Sequence, residues 1–493
     1  MQFIDWMVLG VYFLILIIIG FIAYRRVGNA ADFFTAGGKL PWWLAGVSHH
    51  VSGYSGAVFV AYAGIAYTHG LTIYIWWACA VALTTFIAAL LIAPRWARLR
   101  MNLGIQSPTE YLQVRYNLST QQIIAWSGSI IKIFDIGGKL AAIAILLNIF
   151  TGAALITGIL LAGGVALIYT IVGGLWADVW NDFAQFIVQF FAGITMFVLI
   201  IMQVGDGAAG VFTLWDRLPE SHSQLFNHPY TIQFALAMLV IDFFSYSGGT
   251  WHLATRFISA SSGKEARKAG ILSSVLYLLW PLVLMFPMFA APIIFPDLAD
   301  PTMSYGMMAM KFLPAGLVGL VLAAMFANTL SMISADSNTI SAVITRDIIP
   351  VMFKKVKTYS VEKMLFLARI ITFLFTFLTV IVAVNASHFG GVFGLIISWF
   401  AALIGTISIP MILGLLPVFK NSGSVAAIIS IFGGILTFIV LKFFPGISLA
   451  VEVGSPIFAS LILFVGLGFL KVEKIPAGTT GFLALIAKPV NNK

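Results

Sequence analysis

The sequence predicts an all-α polytopic membrane protein, and three observations support that prediction. First, 60% of the 493 residues are hydrophobic and only 9% are charged, which is more apolar surface than a water-soluble domain can bury. Second, apolar stretches long enough to cross a bilayer recur along the chain. Third, basic residues gather in alternate loops, as the positive-inside rule expects of a chain that crosses many times.

The apolar stretches predict 13 transmembrane helices. Their expected spans are roughly 5–24, 42–67, 73–94, 121–149, 152–174, 180–204, 230–255, 269–294, 307–345, 364–387, 391–417, 423–441 and 450–470.

The net charge of +9 is explained by topology. Of the 27 Lys and Arg residues, 22 fall in loops on one side of the membrane. Those loops are 25–39, 95–115, 256–268, 346–369, the loop of Lys420 and 471–493. The rule assigns them to the cytoplasm, so the N-terminus is expected outside and the C-terminus inside, in the inner or plasma membrane of the cell. The basic side can contact anionic lipid headgroups, and no nucleic-acid site is predicted.

Two spans are interrupted by similar Gly/Ser clusters. The second contains "VSHHVSGYSGAVF" (47–59) and the seventh contains "FFSYSGGTWHL" (243–253). Lipid cannot hydrogen-bond a broken helix, so protein or a wet cavity must cover these stretches. They lie five spans apart and therefore run in opposite directions. Paired interruptions in inverted halves indicate the midplane site of a transporter, although small residues also serve plain helix packing.

The ninth span carries the hydroxyl-rich stretch "ANTLSMISADSNTISAVITRD" (327–347). Its polar groups cover nearly the whole helix circumference, so other helices must enclose it. Ser331, Ser334 and Asn338 share one face, and hydroxyl oxygens suit weak coordination of a small, hard cation. An ion site is therefore expected where this face meets the broken second span.

Ionisable residues at bilayer depth are functional candidates because each costs at least roughly 2–3 kcal/mol there. Lys132, Asp135 and Lys139 share one face of the fourth span. If Lys132 pairs with Asp135, Lys139 is left unpaired and could meet a carboxylate of the solute. Asp242 is either functional or a packing acid with a hydroxyl partner. The remaining candidates of this kind are Asp182 and Asp336.

A polar solute cavity is expected near the interruptions. The residues predicted to line it are His49, His50, Lys132, Asp135, Lys139 and Trp251. A metal site at His49 and His50 is not favoured, because adjacent helical positions point about 100° apart and no Cys, Asp or Glu cluster completes the site.

At this point the chain resembles the sodium/solute symporter family, which includes sodium–glucose, sodium–proline and sialic acid symporters. The ordered motifs that carry the resemblance are "AGGKLPWWLAGVS" (36–48), "SPTEYLQVRY" (107–116), "GGLWADVWNDFAQF" (173–186), "WHLATRFISA" (251–260) and "SNTISAVITRDI" (337–348). Family members usually carry Gln-Arg where this chain has Thr255-Arg256.

The resemblance implies a LeuT-like fold of ten core helices in two inverted five-helix repeats. The expected divisions are an extra helix and loop at 1–40, the first repeat at 41–204, an external loop at 205–229, the second repeat at 230–420, and two helices with a tail at 421–493.

The resemblance also implies sodium ligands. One site maps to the carbonyls of Val51, Tyr54 and Asn328 and to the hydroxyl of Ser331. Its second hydroxyl is replaced by Met332, and a thioether is a poor ligand for a hard cation. Thr329, Asp336 or a water could supply the missing oxygen.

A further sodium position and a gate are implied by some relatives. The sodium position maps to Asp182, Ser331 and Ser334, with Ala335 in place of a third hydroxyl. The aromatic inner gate maps to Tyr246.

The predicted function is a sodium-coupled symporter that imports a small polar solute by alternating access, with sodium as coupling ion and no required oligomer. A sugar or sugar acid is the first choice of solute, and Lys139 favours an anion. The alternatives are proton coupling, an amino or organic acid as solute, a channel, or a membrane-embedded enzyme that uses His and Asp. Because no convergent catalytic set is visible, no enzyme is predicted.

Overall fold

The structure, a computed structural model, describes residues 1–204, 207–396 and 402–488. The described residues are mostly helical and contain no β-strand beyond isolated bridges. The predicted all-α class is therefore confirmed.

The helices are numbered in chain order. The first eleven are α1 Phe3–Tyr24, α2 Ala30–Thr35, α3 Trp42–Val51, α4 Ala61–His69, α5 Ala80–Leu91, α6 Ala93–Leu103, α7 Leu112–Arg115, α8 Leu118–Thr151, α9 Leu155–Val204, α10 Gly210–Thr213 and α11 Ile232–Phe244. The others are α12 His252–Ile258, α13 Gly263–Ile294, α14 Ser304–Phe312, α15 Leu317–Val343, α16 Ile349–Met352, α17 Val361–Val384, α18 Gly391–Phe393, α19 Ala402–Leu413, α20 Ser424–Leu441, α21 Leu449–Phe469 and α22 Gly478–Ala487.

In the described part of the chain, 9 helical stretches are long and apolar enough to cross a bilayer. Each of them coincides with a predicted span. The four other predicted spans are the broken second one, the polar α8, the short apolar start of α9, and 391–417, part of which lies outside the described residues.

Two predicted helix boundaries need correction. The ninth span was expected to run over 307–345, but α14 ends at Phe312 and α15 begins at Leu317. Pro314 lacks an N–H group, and Gly316 has a φ of 86°, so the helix cannot continue between them. The sixth span begins at Gly174 rather than 180, because α9 is kinked there with φ 53°.

Both predicted interruptions are real breaks in the helices. After α3 the chain unwinds over 52–55 and continues as a tight turn at Gly56–Phe59 before α4. After α11 a wide turn at Ser245–Gly249 precedes α12, and Trp251 adopts a φ of 66°. Such a conformation strains any residue other than glycine and is held by the surrounding packing.

Side chains from other helices satisfy the broken backbone of the first interruption. Tyr246 Oη donates to the Gly53 carbonyl at 2.7 Å, and a His252 ring nitrogen, Nε2, lies 2.9 Å from the Ser52 carbonyl. The Gly56 N–H donates to Thr329 Oγ1 at 2.9 Å. Because no water or lipid need supply these bonds, the two breaks and α15 support one another at bilayer depth.

The hydroxyl-rich helix is enclosed, as its composition predicts. The most apolar window of the stretch that contains α15 is 89% buried, whereas the corresponding windows of α1 and α17 are 28% buried. The helices α1 and α17 therefore present long faces to lipid, while α15 lies among other helices.

Candidate ion and solute sites

The predicted ion face of α15 meets the end of α3 and the middle of α9. Ser52 Oγ lies 2.9 Å from Ser331 Oγ. Ser331 donates to Asp182 Oδ1 at 2.5 Å, and Ser52 donates to Asp182 Oδ2 at 3.1 Å. Ser48 also donates to Asp182. Three helices therefore converge on one carboxylate that is fully buried.

A second acid and an arginine complete this group. Asp178 lies one turn before Asp182 on α9 and accepts a hydrogen bond from Ser334. Arg256 of α12 places Nη2 at 2.5 Å from Asp178 and at 3.1 Å from Asp182. We define the acidic cluster as Ser48, Ser52, Asp178, Asp182, Arg256, Ser331 and Ser334, all of them buried.

The acidic cluster holds two carboxylates against one guanidinium. If both acids are ionised, one negative charge is left uncompensated in a site of low polarity, where an unpaired charge is costly. Carboxylate and hydroxyl oxygens are the ligands that small, hard cations prefer. The cluster therefore fits one monovalent cation, and Asp182, Ser331 and Ser334 are all part of it.

Sequence reasoning missed Asp178 and misplaced Arg256. Asp178 stands four residues before Asp182, and that helical spacing could have identified it. Arg256 was counted with the basic cytoplasmic loops, but it is fully buried and paired with both acids. Its charge therefore belongs to the acidic cluster rather than to the basic loops.

The other predicted sodium ligands are less directly tied to this cluster. Val51 directly precedes Ser52, so its backbone lies next to the cluster. The Tyr54 hydroxyl bonds His50 and Gln189, and the Asn328 amide donates to the Ala324 carbonyl. Ligation by the carbonyls of Val51, Tyr54 and Asn328 stays a prediction.

The two side chains that could replace the hydroxyl missing at Met332 are engaged elsewhere. Thr329 Oγ1 accepts the Gly56 N–H. Asp336 lies 2.8 Å from Lys132 and 2.7 Å from a ring nitrogen of His252. In this arrangement Asp182, rather than either of them, supplies anionic oxygen next to Ser331.

A second group of buried charges surrounds Asp336, and we call it the lysine cluster: Lys132, Asp135, Lys139, His252 and Asp336. Lys132 and Lys139 lie 2.9 and 2.7 Å from Asp135 Oδ2. Both also reach Asp336, at 2.8 and 3.3 Å. The predicted pairing of Lys132 with Asp135 is therefore confirmed. The expectation that Lys139 is left unpaired is wrong, because α15 brings Asp336 against α8.

A cavity lies beside the lysine cluster and is lined by both helix breaks, by the wide turn at Tyr74–Cys79, and by α8, α11 and α15. Its aromatic residues are Tyr54, Tyr62, Trp77 and Tyr246, and its ionisable residues include Asp135, Lys139, Asp242 and His252. Among the predicted solute residues, Asp135, Lys139 and Tyr246 line this cavity.

The remaining predicted solute residues lie behind that lining. His49 Nδ1 is 2.7 Å from Ser273 Oγ, and His50 Nε2 is 2.9 Å from the Tyr54 hydroxyl. Trp251 Nε1 donates to the Met411 sulfur at 3.1 Å, and Lys132 is held in the lysine cluster. Contact of these four residues with a solute stays a prediction, which this arrangement does not favour.

Two broken helices in inverted halves, packed around buried ionic clusters, define a transporter of the LeuT-like class. A solved structure of a Na⁺-coupled sialic acid symporter, in a substrate-bound outward-open state, superposes with a TM-score of 0.80 at 21% identity and covers 95% of this chain and 98% of that one. Mhp1, a nucleobase-cation-symport-1 family transporter, gives a TM-score of 0.57 at 14% identity over 93% of this chain and 99% of that one.

The model of the Sodium:solute symporter family matches residues 33–433, and the chain belongs to that family. The sodium/glucose cotransporter of Vibrio parahaemolyticus is 28% identical over 383 residues, which are 71% of this chain and 69% of the relative. The sodium/sialic acid symporter NanT of Aliivibrio fischeri is 27% identical over 354 residues, which are 69% and 67% of the two chains.

Proposed function

We propose that this protein is a sodium-coupled symporter that imports a small polar solute by alternating access. The observation that carries the proposal is the meeting of Ser52, Ser331 and Asp182 in a buried cluster of two carboxylates and one guanidinium. The names of the relatives describe the coupled transport of sodium and a solute. For this chain, such coupling is inferred from the acidic cluster and the neighbouring cavity.

A sodium ion in the acidic cluster would join three parts of the fold. The oxygen ligands of the ion would come from the end of α3, from α9 and from α15. The bound ion would therefore favour the state in which these helices are packed together. Alternating access requires groups of helices to separate and rejoin. An ion that binds one of these states more tightly shifts the equilibrium toward it.

The same broken segment connects the ion site to the solute cavity. Ser52 contributes its hydroxyl to the acidic cluster and its carbonyl to His252, which lines the cavity. The next residue, Gly53, accepts the hydrogen bond of Tyr246, another cavity residue and the predicted inner gate. Ion and solute therefore act on one unwound stretch of backbone, which is a physical route for coupling their affinities.

The orientation of the chain in the membrane is inferred from the basic loops. We propose that these loops are cytoplasmic, that the N-terminus lies outside and the C-terminus inside, and that the two repeats span 41–204 and 230–420. Membrane lipids are the expected surroundings, and nothing in the proposal requires an oligomer.

The pairing of Lys139 changes the inference about the chemical class of the solute. Two carboxylates contact this lysine, so the argument for a sugar acid loses its basis. A neutral sugar, which would donate hydroxyl hydrogens to carboxylates of the cavity, is the alternative solute to the one inferred below.

Thermal-shift screening of a solute library, with sodium chloride or potassium chloride, gives the first test. A ligand that binds the folded state raises the unfolding midpoint, and a symporter predicts hits whose shifts grow with sodium. Those hits are then tested for uptake into proteoliposomes.

The uptake assay separates the competing functions. Accumulation of solute driven by a sodium gradient supports the proposal. Accumulation driven only by a proton gradient would show that the coupling ion is the proton rather than sodium. Passive flux without accumulation indicates a channel, and chemical conversion of the solute indicates an enzyme.

A further inference from the structure

Asp242 is a buried acid that no other residue of the described chain neutralises. It lies near the end of α11, is 4% exposed, and lines the solute cavity. Its Oδ2 atom is buried without a hydrogen-bond partner, and none of the ion pairs among the described residues includes it. The packing role with a hydroxyl partner, weighed from the sequence, finds no such partner for Oδ2.

The neighbouring lysine cluster does not provide a counter-ion. Its two lysines are matched by Asp135 and Asp336, and His252 lies against Asp336 rather than Asp242. Asp135, which also lines the cavity, has a second oxygen, Oδ1, that is buried without a partner. The cavity therefore contains buried carboxylate oxygens that a hydrogen-bond donor or a positive charge of the solute would satisfy.

Aromatic rings form much of the rest of this cavity. Trp77 packs edge-on against Tyr62 and Tyr54, with ring centroids 5.1 and 5.9 Å apart. The faces of such rings attract organic cations, and a group of rings is the usual site for an alkylated ammonium. An acid beside several aromatic rings fits a cation better than a carboxylate.

We propose that the transported solute carries an organic ammonium group, for which Asp242 is the counter-ion and Tyr54, Tyr62 and Trp77 are the aromatic contacts. The inference rests on the proposed function only in taking this cavity as the solute site. A neutral solute would need Asp242 to be protonated or to accept hydroxyl hydrogens, and an anionic solute would be repelled by it.

The test compares matched probes on the purified protein in detergent. The probes are choline, its uncharged isostere in which carbon replaces the ammonium nitrogen, glucose and acetate. Unfolding midpoints are recorded in sodium chloride and in potassium chloride. We expect choline to raise the midpoint with saturation, and the isostere, glucose and acetate to have no saturable effect.

Variants assign the effect to the cavity. Asp242→Asn should raise the half-saturating choline concentration by roughly tenfold or more, while the exposed Asp297→Asn variant keeps the wild-type value. Trp77→Leu should raise the half-saturating choline concentration several-fold, and Trp77→Phe should raise it less because an aromatic ring is kept. A midpoint shift by sodium alone that persists in Asp242→Asn shows that this variant is folded.

The outcomes separate this inference from the proposed function. Saturable shifts by glucose or the uncharged isostere, or a choline shift unchanged in Asp242→Asn, overturn the ammonium inference, and a shift by acetate does the same. A choline shift that ignores sodium supports the ammonium inference and contradicts sodium coupling. A sodium shift with no choline response leaves the coupling supported and overturns the ammonium inference.

Discussion

The two buried charge clusters are connected through the backbone at Ser52 and differ in their charge balance. In the lysine cluster, Lys132 and Lys139 are matched by Asp135 and Asp336. In the acidic cluster, Arg256 faces both Asp178 and Asp182. A network with equal numbers of carboxylates and lysines is neutral without a bound cation and can hold α8 against α15 in any state. The acidic cluster has more acids than bases, so we expect it, rather than the lysine cluster, to respond to sodium.

Ser52 of the acidic cluster also contacts the lysine cluster. The Ser52 hydroxyl contacts Asp182 and Ser331, and the Ser52 carbonyl lies 2.9 Å from a ring nitrogen of His252 in the lysine cluster. We expect changes in the lysine cluster to affect mainly stability, and changes in the acidic cluster to affect mainly sodium binding. The broken segment between the clusters is expected to couple sodium binding to solute binding.

The largest expected effect is the loss of stability on unbalancing the lysine cluster. Asp336→Asn leaves two lysines with one carboxylate, and removing one partner of a buried ionic network costs about 3–5 kcal/mol. The thermal unfolding midpoint in detergent should therefore fall steeply. The sodium concentration that half-saturates the folded protein should change by less than about threefold, because the acidic cluster is intact.

A double variant distinguishes charge balance from lost packing. Asp336→Asn combined with Lys139→Met restores a neutral network and should recover part of the lost stability. An unfolding midpoint equal to that of Asp336→Asn alone would show that charge balance does not hold this cluster together.

The second effect concerns the excess charge of the acidic cluster. Asp182→Asn makes the cluster neutral and removes the acceptor of Ser48, Ser52 and Ser331. Because the affected interactions are charge-assisted, the half-saturating sodium concentration for uptake should rise by roughly 30-fold or more. Asp297→Asn is the matched control on the exposed surface. Wild-type sodium dependence in Asp182→Asn would remove this carboxylate from the ion site.

Contacts between residues close together in the sequence could be predicted, and contacts between distant residues could not. Apolar length predicted the spans, the Gly/Ser clusters predicted both breaks, and polar groups on every side of α15 predicted its enclosure. Lys132 and Asp135 are three residues apart, so their pairing was visible. Lys139 and Asp336 are separated by 197 positions, and only packing of α15 against α8 brings them together.

The ion site shows the same limit. The family resemblance predicts Ser331, Ser334 and Asp182 as sodium ligands, and helical periodicity places the two serines on one face. Arg256 stands 74 positions from Asp182, and a basic residue near the end of a span is indistinguishable from a loop residue by composition alone. Its burial follows from the packing of α12 against α3, α6 and α15 after the second break.

A smaller effect is expected from a single hydroxyl. Ser331→Ala removes a hydrogen bond to a charged group, and the half-saturating sodium concentration for uptake should rise by about tenfold. Ser337→Ala is the control on the same helix, since this buried hydroxyl contacts Thr376 instead. Equal sodium dependence in the two variants would mean that Ser331 only packs against its neighbours.

The smallest effect is expected at Met332, where the family resemblance implies a hydroxyl. Met332→Ser adds a hard oxygen ligand in place of a thioether, and the half-saturating sodium concentration should fall by about threefold. Met332→Ala loses the same methionine packing without adding the oxygen, and it should show no such gain. If both variants respond alike, the serine oxygen does not reach the ion.

Equilibrium binding of radioactive sodium to the purified protein is the most direct measurement. Saturable binding is expected in the wild type and in the rebalanced Asp336→Asn/Lys139→Met variant, and its affinity should fall sharply in Asp182→Asn. Sodium binding that is undiminished in Asp182→Asn but lost in the rebalanced variant would place the ion in the lysine cluster and contradict the division of roles between the two clusters.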